Sequence, residues 1–353
     1  MKKLIGSISI VLLLASCGID DKDTNEEQIQ VIDEQQLEVV AEHLRAPWAI
    51  DKHEDTFYIT ERAGAIIRVQ NGELSRQDVL FEQQLSHAAE AGLLGFVLAP
   101  NFSETNEAFA YYTYDQDGES FNRVVLLQLD EEVWHERQVL IDEIPSGTYH
   151  HGGRLKIGPD HKLYITTGDA SNPELAQNKA SLAGKILRVN LDGSLPEDNP
   201  FKNSMIYSYG HRNPQGLAWT PEGVMYATEH GQSANDEVNE IKPGENYGWP
   251  VIEGQEKQDG LVTPLFTSGK DHTWAPSGMA YNRDVLYVAA LRGTALLAID
   301  LKTNEVREVV NDVGRIRDVW IEEDTLYFIT NNTDGRGQPA AGDDHLYKLI
   351  LAQ

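Results

Sequence analysis

Cysteine is nearly absent: Cys17 is the single one in 353 residues. A body without a second thiol forms no internal disulfide. It also has no thiolate metal site and no cysteine nucleophile. Positive charge is scarce. Lys and Arg number 29 against 56 Asp and Glu, a formal charge of −27. Phosphate backbones are bound by basic surface, so this balance excludes nucleic acid as a partner. No stretch has the period of a long amphipathic helix. The leading apolar run, residues 4–14, is too short to span a bilayer as a stable helix.

That run is nevertheless informative. Lys2 and Lys3 precede it, and it ends in Leu14, Ala15, Ser16 and Cys17. A charged start, an apolar centre and small residues before a cysteine resemble a bacterial lipobox. The resemblance implies cleavage before Cys17 and lipidation of its thiol. The alternative is a plain signal peptide with a chance cysteine. Residues 1–16 then read as a lipoprotein signal peptide and 17–36 as an acidic flexible tether. The protein is expected to be exported and held at the outer face of a bacterial membrane, touching lipid through this anchor alone.

One short pattern recurs in the remainder, residues 37–353. Apolar and aromatic residues followed by small or β-branched ones occur at 57–60, 111–114, 163–166, 225–228, 286–289 and 326–329. A partner strand precedes each copy and a third strand follows it. Turn signals such as Asn71-Gly72 and Asp192-Gly193 separate them. Six such units predict an all-β fold, a six-bladed β-propeller of four-stranded antiparallel blades. A β-sandwich does not predict equivalent units. Residues 37–41 are expected to pair with the last blade and close the sheet.

The loops at one end of these units carry polar residues that no turn requires. They hold Glu90, His150 with His151, Asp169, Arg212 with Asn213, Gly231 with Gln232, Glu237, and Arg315 with Arg317. In a propeller they converge by topology. His150 or His151 suits a general base, and Asp169 suits its orienting partner. Arg212, Arg315 and Arg317 supply forked donors for carboxylates or phosphate. Glu237 and main-chain oxygens suit calcium. Each feature also has an ordinary reading. A histidine in a glycine-rich loop is commonly structural, and Arg-x-Arg on a strand is as readily a solvated edge. Together they predict a site for an anionic small molecule, with a histidine base and calcium.

Three stretches sharpen this reading: 150–160, 209–217 and 246–250, namely HHGGRLKIGPD, YGHRNPQGL and NYGWP. In this order they resemble the glucose/sorbosone dehydrogenase family of quinoprotein aldose sugar dehydrogenases. The resemblance implies a six-bladed propeller, the cofactor pyrroloquinoline quinone (PQQ, a tricarboxylate) and calcium. It also implies an aldose sugar as substrate, oxidised to a lactone, and an electron acceptor that no residue identifies. By position, His150 resembles the base and Asp169 its orienting residue. Arg212 and Asn213 resemble the contacts to the quinone end, and Arg315 and Arg317 the carboxylate clamp. Gly231 and Gln232 resemble ligands of the cofactor's calcium, and Glu237 and Tyr247 those of a second one. Trp274 is expected beside the substrate opening. A family glutamine is here Glu90, and a lysine of the glucose-oxidising branch falls at Leu291. The rival readings are a calcium-dependent lactonase and a non-catalytic extracellular binding propeller.

Overall fold

The computed structural model describes residues 37–351, so the expected signal peptide, the tether and Cys17 lie outside the described residues. The chain enters through β1 (Glu38–Ala41). It then builds a meander of β2 (Pro47–His53), β3 (Thr56–Glu61), β4 (Ala65–Gln70) and β5 (Glu73–Leu80). A second meander contains β6 (Leu93–Leu98), β7 (Glu107–Gln116), β8 (Glu119–Asp130) and β9 (Val133–Pro145), with the one-turn helix α1 (Phe102–Thr105) after β6. The third holds β10 (Leu155–Ile157), β11 (Leu163–Thr167), β12 (Lys185–Val189) and β13 (Ile206–Tyr209), with α2 (Glu174–Gln177) after β11. The fourth holds β14 (Pro214–Trp219), β15 (Met225–Glu229), β16 (Glu237–Ile241) and β17 (Phe266–Thr267). The fifth holds β18 (Pro276–Asn282), β19 (Val285–Ala290), β20 (Ala295–Asp300) and β21 (Val306–Val310). Last come β22 (Ile316–Glu322), β23 (Thr325–Thr330) and β24 (Leu346–Ile350), with β1 as the outer strand beyond β24.

Each predicted repeat is thus the second strand of a four-stranded antiparallel set, an all-β arrangement consistent with a propeller. The expected pairing of residues 37–41 with the last sheet is present, with Glu38 opposite Lys348. One feature departs from separate four-stranded units. β5 runs parallel to β9, fusing the first two sets into one eight-stranded sheet. Val79 lies opposite Trp134 in that pairing, and the buried indole donates to Gln77 at 2.9 Å.

The second strands are buried on both faces because neighbouring sheets cover them; every residue of β11 is buried. This explains their near-continuous apolar and β-branched composition. Polar exceptions tie one four-stranded set to the next. The Thr60 hydroxyl donates to Leu94 O at 2.7 Å, and that of Thr228 to Ser277 O at 2.6 Å. Glycine permits the closest approaches, since a Cβ on Gly95 would overlap the carbonyl of Gly153. First strands touch in succession: β2 with β6, β6 with β10, β14 with β18, β18 with β22, and β22 with β2 again; β14 lies against β11.

Candidate active site

The loop from β9 to β10 turns at His150 (φ 66°), Gly152 (φ 64°) and Gly153 (φ 96°). Three left-handed residues so close together aim the His150 ring away from the strand. Gly168, after β11, presses on this turn; a Cβ there would overlap the His150 carbonyl. The result sets His150 Nδ1 2.7 Å from Asp169 Oδ1. Asp169 is fully buried, and its other oxygen accepts the Trp249 indole N–H at 2.9 Å. An ionised carboxylate can only accept, so Nδ1 carries a proton, and in the neutral ring that leaves the Nε2 lone pair free. The His150 side chain is 20% exposed, at a cleft of about 550 Å³ shared with Tyr149, Arg212, Gln232 and Trp249.

Arg212 is fixed from behind. Its backbone N–H donates to the Glu229 carboxylate. The same carboxylate holds His211 at 2.8 Å, and Ser208 bonds the far nitrogen of that ring at 2.8 Å. Ser208 and His211 are wholly buried, so this Ser–His–Glu row braces the loop and meets no substrate. The Arg212 guanidinium lies 5.3 Å over the Trp249 ring and donates to His230 O at 3.2 Å. Asn213 is buried, and its side-chain oxygen accepts the Gly152 N–H at 3.0 Å.

Beside this cleft is a cavity of about 110 Å³ lined by Trp48, Glu90, His151, Gln215, His230 and the arginines 62, 292, 315, 317 and 336. The Arg-x-Arg pair is therefore no solvated edge. Arg315 donates to Asp334 at 2.9 Å, and Arg317 to Gln215 at 2.9 Å. Burial pushes Arg317 down to about 9; Asp334 opposes this, and Arg315 and Arg62 add to it. Buried nitrogens of Arg62, Arg212, Arg315 and His230 have no partner among the described residues. Unpaired buried donors are costly, so they mark a place for acceptors from outside the chain. A multiply charged carboxylate such as PQQ would suit this donor set, and Arg315 and Arg317 are the residues that could hold it.

Gly231 and Gln232 form the turn below Arg212. Their N–H groups are held by Asp236 at 3.0 Å and Glu253 at 2.9 Å. Glu237 accepts from Gly254 and from Asn239, both at 3.0 Å. Burial first, and the Glu229 charge second, raise its carboxyl to about 8. A half-buried acid whose donors among the described residues are neutral suits a cation. Among the described residues no group of three or more His, Cys, Asp or Glu is placed to hold a metal. A calcium ion here would draw on main-chain oxygens, the donors expected of Gly231, Gln232 and Tyr247. The Tyr247 ring stacks on His211, and Glu229 lies opposite Glu237 across β15 and β16. Trp274 does not line the His150 cleft, where the tryptophan is Trp249; its backbone N–H donates to Asp236 at 2.6 Å.

Arg62, His230, Asp334 and Arg336 were not singled out by sequence reasoning. Arg62 and His230 did carry a signal. Each stands two residues after a repeat-strand threonine, Thr60 and Thr228, where the strand leaves the sheet. Asp334 and Arg336 lie in a loop without such a marker.

A histidine oriented by a buried acid, opening beside a pocket lined by arginines, is the site of an enzyme that works on small molecules. The sequence profile described as Glucose / Sorbosone dehydrogenase matches residues 44–347, and the chain belongs to that family. Its relatives include sugar dehydrogenases, one of them a quinoprotein. Aldose sugar dehydrogenase YliI of Escherichia coli (strain K12) is 30% identical over 338 residues, which cover 85% of this chain and 91% of that protein. Quinoprotein glucose dehydrogenase B of Acinetobacter calcoaceticus is 35% identical over 258 residues, 64% of this chain and 54% of that relative's length. The structure of the PQQ-bound form of aldose sugar dehydrogenase from Streptomyces coelicolor matches with a TM-score of 0.83 at 36% identity. That match covers 89% of this chain and 97% of that one.

Proposed function

We propose that this protein is a PQQ- and calcium-dependent dehydrogenase that oxidises aldose sugars to lactones, built on a six-bladed propeller. The carrying observation is the His150–Asp169 pair at 2.7 Å, open to the cleft that adjoins the arginine cavity. The six-blade reading rests on the succession of first strands from β2 round to β22 and back.

When bound, PQQ supplies a quinone able to accept a hydride, and calcium makes that quinone more electrophilic. His150 Nε2 takes the proton of the sugar's anomeric hydroxyl. Asp169 fixes the ring and stabilises its charge once protonated. Arg212 offers a fixed cation beside the reacting region, and stacking on Trp249 limits its rotation. Asn213 keeps the glycine turn behind His150 in place. Arg315 and Arg317 hold carboxylates in a protein otherwise rich in acid. Gly231 and Gln232 are the ligands proposed for one calcium, and Glu237 and Tyr247 for a second.

Reconstitution of the 18–353 protein with PQQ and calcium, followed by dye reduction across several aldoses, tests this. Reduction that requires both additions is the expected result. A folded protein that neither binds PQQ nor reduces dye overturns it and favours a binding module. We also propose export and lipid anchoring through Cys17. Cys17→Ser should release the protein from the membrane fraction of a bacterial host, and retention there would overturn the anchor.

A further inference from the structure

Glu90 brings a carboxylate into the lining of the arginine cavity. One oxygen takes the Arg336 guanidinium as an ion pair, across 246 positions of sequence, and the other accepts the His150 N–H at 3.4 Å. The same guanidinium lies 5.6 Å over the ring of Tyr149, the residue before His150. Arg336 therefore touches the histidine loop on one side and lines the cavity on the other. Burial works against ionisation of Glu90, but Arg336, helped by His230 and His151, outweighs it and draws the carboxyl down to about 2.

The two groups differ in freedom. The Arg336 side chain is 48% exposed and that of Glu90 24%. Arg315 and Arg317 are buried, at 8% and 6% exposure. A half-exposed guanidinium on a long stem can change partners at little cost, whereas the buried ones are set in place. Glu90, by contrast, confronts any incoming anion with like charge.

This inference rests on the reading that the cavity receives PQQ. We propose that Arg336 is an additional carboxylate-holding residue for that cofactor, and that Glu90 competes with the cofactor for it and so sets the affinity. Glu90 is then a tuning counter-ion. An anion that draws Arg336 from Glu90 gains a charge-assisted bond but remains near the released carboxylate.

The test is a spectroscopic titration with PQQ at fixed calcium and ionic strength, with no sugar or dye present. Wild type, Glu90→Gln, Arg336→Gln and the double variant are compared after checking equal melting temperatures. Arg336→Gln should weaken binding about tenfold, because a charge-assisted bond is lost and Glu90 is left uncompensated. Glu90→Gln should tighten binding several-fold. The double variant should fall between them, with a coupling that the single changes do not add up to. Arg336→Lys should recover part of the loss. Equal affinity in wild type and Arg336→Gln overturns the proposal. Weaker binding in Glu90→Gln also overturns it, since that is what a purely structural clasp would give. A folded wild type that leaves the PQQ spectrum unchanged overturns the functional reading, and this proposal with it.

Discussion

Arg154 and Asp318 stand 164 residues apart and meet as a buried ion pair at 2.6 Å. The Arg154 guanidinium also lies 4.3 Å over the Trp48 ring, and Asp318 accepts the Ile50 N–H at 3.0 Å. First, third and last sheets are thereby joined through one pair of charges. Removing one partner strands the other where water cannot reach it. Asp318→Ala should cost about 3–5 kcal/mol of unfolding free energy, read from denaturant midpoints. Replacing both groups by apolar residues of similar volume should recover much of that loss.

His150 should be needed for turnover and not for cofactor binding. His150→Gln is expected to lower kcat by about 10²–10⁴-fold while the PQQ titration is unchanged. Asp169→Asn should lower kcat less, because Nε2 survives but the tautomer is no longer enforced. Retained turnover in His150→Gln would remove the residue from the mechanism.

Calcium should stabilise the fold through the Glu237 region. Saturation at about a hundred times the dissociation constant adds roughly 2.7 kcal/mol by linkage. Chelation of wild type should therefore lower its melting temperature. In Glu237→Gln the melting temperature should respond less to chelator. An identical response in the two proteins would place calcium elsewhere.

His151 gives a pH prediction. The ring is buried, with Nε2 3.1 Å from Ala89 O and Nδ1 2.8 Å from the Ser146 hydroxyl. Burial lowers its pKa from 6.5 more strongly than the Ala89 carbonyl and the Glu90 charge raise it. The unfolded chain therefore binds the proton more readily than the folded one. Stability is full above pH 6.5 and falls as pH drops below it. In His151→Gln, melting temperature plotted against pH should be flatter just below 6.5 than in wild type.

Strands were legible where both faces are packed, because continuous apolar runs such as those around Tyr164 and Leu286 have no other place in a soluble fold. Outer strands were not: β17 has two residues, Phe266 and Thr267, too few to show alternation. The parallel join of β5 to β9 depends on contacts between sheets, which no local pattern encodes. Within the site, His150, Arg212 and Asn213 were visible because glycines that permit left-handed or tightly packed backbone surround them. Arg336 was hidden, since its meaning comes from Glu90 and Tyr149 and not from its neighbours in sequence. Trp249 illustrates the same limit, because spacing alone does not say which indole faces the His150 cleft.

The pairing of β1 with β24 has a consequence in time. During synthesis the opening strand emerges among the first segments, yet the strand it must join is among the last. Until residues 346–350 arrive, β1 and β23 each keep a bare edge, and contacts between the last sheet and the first are incomplete. The molecule therefore cannot mature gradually from its beginning. Its final residues act as a zipper pull, and a chain cut short by that strand would leave β1 and β23 without the partner between them.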